Sequence, residues 1–207
     1  MHYGERMGFR EVVASVSSHP KVYEFQRLLL GGRKLDLRVG PVIDRIVKSR
    51  EPGIVIDVGG GTARSRALWP SDWTYYSIDP DDRMAELDEL GSDVNRVVGS
   101  AGSLPFEDAF ADVVFMKDTS HHLDDKTWAE SLNEIRRVLK PDGVFVFLDA
   151  VLNPSRHFSV WFWKLDNGKW PRSTEALEDG IRGDFTVQEV ERFSLIHNVI
   201  LVTSINR

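Results

Sequence analysis

The sequence predicts an α/β fold in which helices cover both faces of a mostly parallel β-sheet. Short apolar runs typical of buried strands recur along the chain, at 54–58, 74–79, 94–98, 112–116 and 143–149. Helical patterns separate several of these runs, at 81–90 and at 127–139, and a shorter helix ends at Pro70. This alternation favours a parallel sheet, because each parallel connection needs a crossover that packs on one face of the sheet.

We expect residues 1–207 to form a single domain with three parts, since this length can bury one substantial core. Residues 1–50 are predicted to add helices, and 54–150 to form the cofactor-binding core. Residues 151–207 are the predicted substrate-side segment. The helical stripe that supports the N-terminal assignment consists of Val39, Val42, Ile43, Ile46 and Val47.

Two local patterns refine the element boundaries. Two apolar runs at 185–195 and 199–205 predict a hairpin at the edge of the sheet. In the segment 127–139, Thr127 and Glu130 have the spacing of a capping box, which predicts that the helix begins at this threonine.

Composition narrows the classes of partner. The formal net charge of −6 gives no large basic field, which disfavours binding to a nucleic-acid backbone and favours small-molecule or lipid-like substrates. The chain has no cysteine, which excludes disulfides, thiolate nucleophiles and cysteine metal sites. The first ten residues lack the apolar core of a signal peptide, and Asp149 interrupts the longest apolar stretch, so we expect a cytoplasmic protein without a transmembrane segment. The sequence does not indicate an oligomeric state.

A glycine cluster follows the first predicted strand, in the run Val-Ile-Asp-Val-Gly-Gly-Gly-Thr-Ala at 55–63. Glycine tolerates positive φ and lets the backbone approach a ligand closely. Gly59, Gly60 and Gly61, two residues beyond Asp57, therefore predict a loop that holds a nucleotide-like cofactor at the carboxyl edge of the sheet. The pattern points to S-adenosylmethionine.

A nicotinamide or flavin site is the competing interpretation of the same loop. Its G-x-G-x-x-G/A fingerprint requires glycine or alanine at position 64, where this chain has Arg64. The spacing Gly59, Gly61, Ala63 instead fits a cofactor loop that is not a dinucleotide loop.

Asp79 ends the second strand-like run, 22 residues after Asp57. A carboxylate at this place can accept hydrogen bonds from both ribose hydroxyls of a nucleoside. The alternative is a helix cap, because Pro80 and the acids after it look like the start of a helix.

Three later patterns complete a recognisable order. Leu-Pro-Phe at 104–106 and Asp-Val-Val-Phe at 112–115 are followed by Arg-Val-Leu-Lys-Pro-Asp-Gly at 137–143. With the glycine loop and Asp79, this series resembles the class I methyltransferase family, in particular the small-molecule subgroup that includes quinone-biosynthesis methyltransferases. The resemblance implies a Rossmann-like, doubly wound sheet of seven strands with the last strand antiparallel, and S-adenosylmethionine as the cofactor.

The resemblance also implies roles for individual residues. Ser100 and Ala101 occupy the position that faces adenine, where the family often has an aspartate instead of this serine. A serine hydroxyl can still form a hydrogen bond but carries no charge. The full set of predicted cofactor contacts is Asp57, Gly59, Gly60, Gly61, Asp79, Pro80, Ser100, Ala101 and Lys117.

Candidate catalytic residues lie in the loop after the fourth strand. His121 or His122 is a candidate base for an acidic acceptor, with Asp118 orienting the ring or binding a substrate amine. The alternative is that the two histidines only line the entrance of the next helix. We expect no metal site, because adjacent histidines point in different directions and the spacing matches no zinc motif.

Aromatic and basic residues outside the core give weaker indications. The aromatic residues are candidates either for the roof of an apolar acceptor pocket or for ordinary core. The basic residues are candidates either for binding an anionic substrate group or for a solvated loop. The aromatic set is Tyr23, Phe25, Trp161, Phe162 and Trp163, and the basic set is Lys164, Lys169 and Arg172.

The leading hypothesis is an S-adenosylmethionine-dependent methyltransferase that acts on an oxygen, nitrogen or carbon atom of a small molecule, aromatic or lipid-like acceptors included. The alternative hypothesis is a non-catalytic binding or scaffold protein that has the same fold. A nicotinamide oxidoreductase ranks third because of Arg64.

Overall fold

A computed structural model describes residues 32–82, 93–152, 169–195 and 197–206. Seven strands in these residues form one sheet in the order β3-β2-β1-β4-β5-β7-β6. The first five strands are parallel to one another, and β7 is antiparallel to both of its neighbours. The predicted sheet is therefore confirmed. The strands are β1 Ile54–Val58, β2 Thr74–Asp79, β3 Asn95–Val98, β4 Ala111–Lys117, β5 Leu139–Val151, β6 Phe185–Ser194 and β7 Asn198–Asn206.

Helices cover both faces of this sheet. On one face α1 buries Val39 and Ile43, and on the other α2 and α3 bury residues such as Ile135 and Ile181. The central strands are apolar on both sides because both sides are covered, as in other parallel sheets. None of the helices in the described residues is long and apolar enough to span a bilayer. The helices are α1 Gly32–Lys48, a 3₁₀ helix Arg64–Leu68, α2 Asp125–Val138 and α3 Thr174–Asp184.

Helix α2 begins two residues earlier than the capping-box pattern predicts. Asp124 is the N-cap, and its side chain accepts a hydrogen bond of 2.7 Å from the backbone N–H of Thr127. The threonine thus occupies the third helical position and does not cap the helix. An aspartate at the N-cap accepts the hydrogen bond from this backbone N–H as well as a threonine would.

Helix α3 was not predicted. Ser173 caps it by accepting a hydrogen bond of 3.2 Å from the N–H of Ala176, and Leu177 and Ile181 are buried one turn apart. Gly180 and Gly183 lower the helix propensity of this segment and obscure its apolar stripe. Packing against α2 compensates for that weakness.

The closing hairpin is confirmed, with β6 at the edge of the sheet and β7 inserted between β6 and β5. Other predictions lie outside the described residues. These are most of the helix at 81–90, the aromatic residues Tyr23, Phe25, Trp161, Phe162 and Trp163, and the side chain of Lys164.

The parallel strands determine where a site can form. The strands β1, β2, β3 and β4 point in one direction, so the loops that follow them meet at one edge of the sheet. Binding sites in sheets of this kind lie beyond the carboxyl ends of the strands. The predicted site residues lie in the last two positions of these strands or in the loops that follow them.

Candidate cofactor and acceptor site

The loop after β1 turns sharply at the end of the strand. The N–H groups of Gly59 and Gly60 both donate to the carbonyl of Ile78 in β2, at 2.8 and 3.2 Å. Gly59 has φ of 72° and Gly61 has φ of 52°, in the left-handed region that favours glycine. Ala63 also adopts a positive φ, of 56°. Gly59 and Gly61 therefore suit a backbone conformation that glycine adopts at the lowest cost.

Gly59 is also required by the close approach of the loop after β4. A Cβ atom at Gly59 would lie 2.9 Å from Cβ of Thr119 and closer still to its Oγ1. The Thr119 hydroxyl donates to the carbonyl of Lys117 at 2.9 Å, which fixes the side chain against the glycine loop. The loops after β1 and β4 are thus in direct contact.

The space around the other two glycines differs. A Cβ atom at Gly60 would collide with Ser77 and Asp57, so this glycine packs on the strands beneath it. A Cβ atom at Gly61 would meet no atom of the described residues within 4 Å. The backbone of Gly61 therefore borders open space, as a loop that cradles a ligand must.

Asp79 joins the ends of β1 and β2. Its Oδ2 accepts from the N–H of Gly61 at 3.0 Å, and its Oδ1 accepts from the N–H of Asp81 at 2.9 Å. Burial raises the pKa of this carboxyl, and the two backbone bonds oppose that rise. Each carboxylate oxygen can accept more than one hydrogen bond, so both retain capacity for a hydroxyl donor. The capping bond and a ribose-binding role are therefore compatible.

Asp57 lies beneath the loop and is fully buried. The Tyr75 hydroxyl donates a hydrogen bond to its Oδ2. Burial raises the pKa of Asp57 to about 6, although Tyr75 and the nearby Lys117 lower it. The structure thus places this acid as a support of the loop.

Arg96 on β3 braces the same loop from the other side. Its guanidinium donates to the carbonyls of Gly61 and Thr62, at 3.1 and 3.3 Å. No sequence pattern identified this residue, because an arginine in an edge strand is an ordinary solvated side chain by default.

The predicted adenine side of the site lies after β3. Ser100 is exposed, and its Oγ accepts from the N–H of Gly102 at 3.3 Å, which leaves its own O–H able to donate. Ala101 is buried. Pro80, at the end of β2, is exposed.

Lys117 and Asp118 end β4. The Lys117 ammonium lies 2.5 Å from Oδ1 of Asp36 on α1, and its side chain is largely buried. Asp118 has φ of 53°, which is unusual for a residue with a side chain. Burial raises the pKa of Asp118 to about 6, with Lys117 opposing and Asp149 adding to the rise.

The two histidines have different surroundings. His121 is buried, and its Nδ1 lies 2.6 Å from Oδ1 of Asp149. His122 is exposed, and the two ring centroids are 4.3 Å apart. The ring of His121 is therefore oriented by Asp149, whereas the sequence interpretation gave that role to Asp118. The signal for Asp149 was its position as the one acid that interrupts an apolar strand.

Arg172 holds the histidine loop in place. Its guanidinium donates to the carbonyls of Ser120 and Leu123, at 2.9 and 2.8 Å, and pairs with Asp125 at 2.8 Å. Its side chain is largely buried, so it is not a solvated residue. Lys169 is exposed.

Metal binding receives no geometric support from the described part of the chain. No three histidine, aspartate or glutamate side chains in those residues are grouped so that they could hold a metal ion.

The sheet order, the glycine loop and the acid at the end of β2 define a Rossmann-like fold with an antiparallel β7. A family model described as a methyltransferase domain matches residues 56–147. The PH0226 protein from Pyrococcus horikoshii has the same fold, with a TM-score of 0.70 and 19% identity over 97% of this chain and 100% of that chain.

Two curated relatives are similar in sequence. The dimethylglycine N-methyltransferase of Parasynechococcus marenigrum is 33% identical over 125 residues, which are 56% of this chain and 44% of the relative. The 2-methyl-6-phytyl-1,4-hydroquinone methyltransferase of Synechocystis is 31% identical over 116 residues, 53% of this chain and 36% of the relative. The chain thus spans about half or less of the length of these relatives.

Residues 56–147 are thus similar to the methyltransferase domain in both the family model and the curated relatives. The resemblance predicted from the order of motifs is confirmed over these residues, and the cofactor that it implies is S-adenosylmethionine. Open space at Gly61 and the remaining acceptor capacity of Asp79 fit that cofactor.

Gly59→Ala should destabilise the protein, because the new Cβ would collide with Thr119 and the backbone would keep a positive φ. We expect the free energy of unfolding in urea to fall by about 3 kcal/mol. Gly183→Ala is the control, because its Cβ would meet no atom of the other described residues within 4 Å beyond its own helix and chain neighbours, and it should raise stability by about 0.5 kcal/mol. Equal stability of the two variants would contradict this account of the loop.

Asp57→Asn should change how stability depends on pH. Because the pKa of Asp57 is raised, the folded protein keeps a proton between about pH 4 and pH 6 that the unfolded chain releases. The free energy of unfolding therefore falls as pH rises through that window. Asparagine cannot ionise, so the variant does not lose this stability. From pH 4 to pH 7 its free energy of unfolding should rise by up to about 3 kcal/mol relative to that of wild type. Urea unfolding at pH 4 and pH 7 measures the difference. A constant difference would show that Asp57 titrates normally.

Proposed function

We propose that the protein transfers a methyl group from S-adenosylmethionine to an oxygen, nitrogen or carbon atom of a small molecule. The observation that carries the proposal is the edge of the sheet where the glycine loop, Asp79 and the loop after β4 meet. The match of residues 56–147 to the methyltransferase domain supports it.

Each part of the edge has a role in holding the cofactor. The backbone at Gly61 borders open space and suits the methionine and ribose end. Asp79 is the acceptor for the ribose hydroxyls, because both of its oxygens are fixed by backbone donors and retain lone pairs. In this proposal the Ser100 hydroxyl and the backbone of Ala101 contact the adenine.

Lys117 and Asp57 act in this proposal by holding the edge together. Lys117 pairs with Asp36 and so links α1 to the end of β4. Asp57 binds the Tyr75 hydroxyl under the glycine loop. Neither interaction requires contact with the cofactor.

When bound, S-adenosylmethionine supplies an electrophilic methyl group on a positively charged sulfur. The chain's own residues are left with three tasks, which are to position the acceptor, to exclude water and to take up a proton where the acceptor has one to lose.

The acceptor proposed here is a small molecule, with aromatic and lipid-like compounds included. One relative is named for dimethylglycine and another for a phytyl hydroquinone, so both names describe small acceptors. The net charge of −6 disfavours a nucleic-acid acceptor.

The test is transfer of a radiolabelled methyl group to a panel of amines, phenols and activated carbon acids, with and without Asp79→Ala. We expect S-adenosylhomocysteine to form in excess over the enzyme. The variant should need roughly ten- to a hundredfold more S-adenosylmethionine, because a hydrogen bond to a charged group contributes about 1.5–3 kcal/mol.

Asp82→Ala is the matched control, because it removes an exposed acid three residues away. Its requirement for S-adenosylmethionine should equal that of wild type. Cofactor binding without turnover on any acceptor would instead favour the non-catalytic scaffold. An unchanged requirement in Asp79→Ala would contradict the ribose role.

A further inference from the structure

Asp149 is a fully buried carboxylate in β5, beside the loop that follows β4. The hydroxyl of Ser120 donates to its Oδ2 at 2.5 Å, and the backbone N–H of His121 approaches the same oxygen at 3.3 Å. The N–H of Ala150 donates to Oδ1 at 2.8 Å. The fourth partner is the ring of His121, with Nδ1 at 2.6 Å from Oδ1. A buried charge is tolerated only when it is bonded in this way.

These bonds decide the protonation of the histidine ring. Burial alone would raise the pKa of Asp149, but His121, Ser120 and the N–H of Ala150 together hold it below its ordinary value. The carboxylate is therefore ionised at neutral pH and can only accept hydrogen bonds. Nδ1 of His121 must then carry the proton that it donates, and in a neutral ring the basic nitrogen is Nε2.

The loop that carries this ring is fixed on two sides. Thr119, two residues before His121, packs against Gly59 of the cofactor loop. Beyond the loop, Arg172 donates to the carbonyl of Ser120, and the N–H of Trp170 donates to the carbonyl of His121 at 3.0 Å. A base needs this kind of fixed position beside the reacting centre.

We propose that His121, positioned by Asp149, removes a proton from the acceptor, so that the acceptor class is a hydroxyl compound or a protonated amine. This inference rests on the proposed methyltransferase function. In it His121 is the catalytic base and Asp149 is a positioning residue that fixes the tautomer and the orientation of the ring, as carboxylates do for histidine bases elsewhere.

The proton and electron balance of this step is simple. An O–H or N⁺–H bond of the acceptor breaks, and its proton passes to Nε2 of His121, giving an imidazolium that Asp149 stabilises. The electron pair left on the acceptor atom forms the new bond to carbon. The carbon–sulfur bond of the cofactor breaks, and its electron pair stays on sulfur, which becomes neutral.

Other charged groups surround the pair and influence its titration. Asp118 and Lys117 lie at the end of β4, and Asp36 faces that lysine from α1. His122 stacks at an angle beside the ring, and Arg172 approaches from the segment before α3. Burial raises the pKa of Asp118 to about 6, so the contribution of this acid is separated with the variant Asp118→Asn.

The first test measures the tautomer directly. Nitrogen-15 NMR of histidine-labelled wild-type protein at pH 7.5 distinguishes Nδ1-protonated from Nε2-protonated rings, and the signal is assigned by its loss in His121→Gln. We expect the Nδ1-protonated tautomer, which is the rarer form in solution. An Nε2-protonated ring overturns the proposal, whatever the activity assays give.

The second test uses acceptor chemistry. Catechol and phenethylamine are proton-bearing probes, and pyridine and dimethyl sulfide are aprotic probes, each assayed with radiolabelled S-adenosylmethionine. We expect methylation of proton-bearing probes only. Asp149→Asn should lower kcat about a hundredfold or more and flatten the rise of kcat with pH, because a wrongly held base loses most of its contribution.

Affinity for S-adenosylhomocysteine separates this proposal from the proposed function. This affinity should be the same in Asp149→Asn as in wild type. If wild-type protein does not bind S-adenosylhomocysteine, the proposed methyltransferase function fails. Asp112→Asn is the control, since this partly buried acid pairs with Lys140 at the opposite edge of the sheet and should leave kcat and the tautomer unchanged. Methylation of an aprotic probe, or kcat of Asp149→Asn within about threefold of wild type, overturns the proposal.

Discussion

The site depends on one close contact, between the backbone of Gly59 and the side chain of Thr119. It brings the loop after β1 against the loop after β4, so the predicted cofactor residues and the histidine loop share one edge of the sheet. A side chain at Gly59 would push these loops apart. The positive φ of this glycine and its hydrogen bond to Ile78 hold the turn in the same place.

Two buried acids support that edge in opposite electrostatic ways. Asp57 accepts a side-chain hydrogen bond from Tyr75, and its pKa is raised to about 6. Asp149 receives bonds from Ser120, His121 and Ala150, and its pKa is lowered although it is equally buried. The charge of His121 and three hydrogen bonds outweigh burial at Asp149, whereas burial outweighs the partners of Asp57. The acid with the lowered pKa is the one that holds a histidine.

Local pattern predicted the fold and the sharp turn of the glycine loop well. The strands, the closing hairpin and the glycine loop depend on periodicity and on backbone conformation, which nearby residues determine. Arg96, Arg172 and Asp149 act through partners 28 to 52 residues away, so no local pattern could assign their roles. Helix α3 was missed because Gly180 and Gly183 weaken a stripe that becomes clear only when α2 packs on it.

The central claim is that this edge of the sheet binds S-adenosylmethionine. Calorimetric titration of the purified protein with S-adenosylmethionine, with S-adenosylhomocysteine and with NADH tests it most directly. The account predicts saturable binding of the first two at micromolar concentration, with one site per chain, and no heat of binding with NADH. Binding of NADH, or no binding of either sulfur compound, would contradict it.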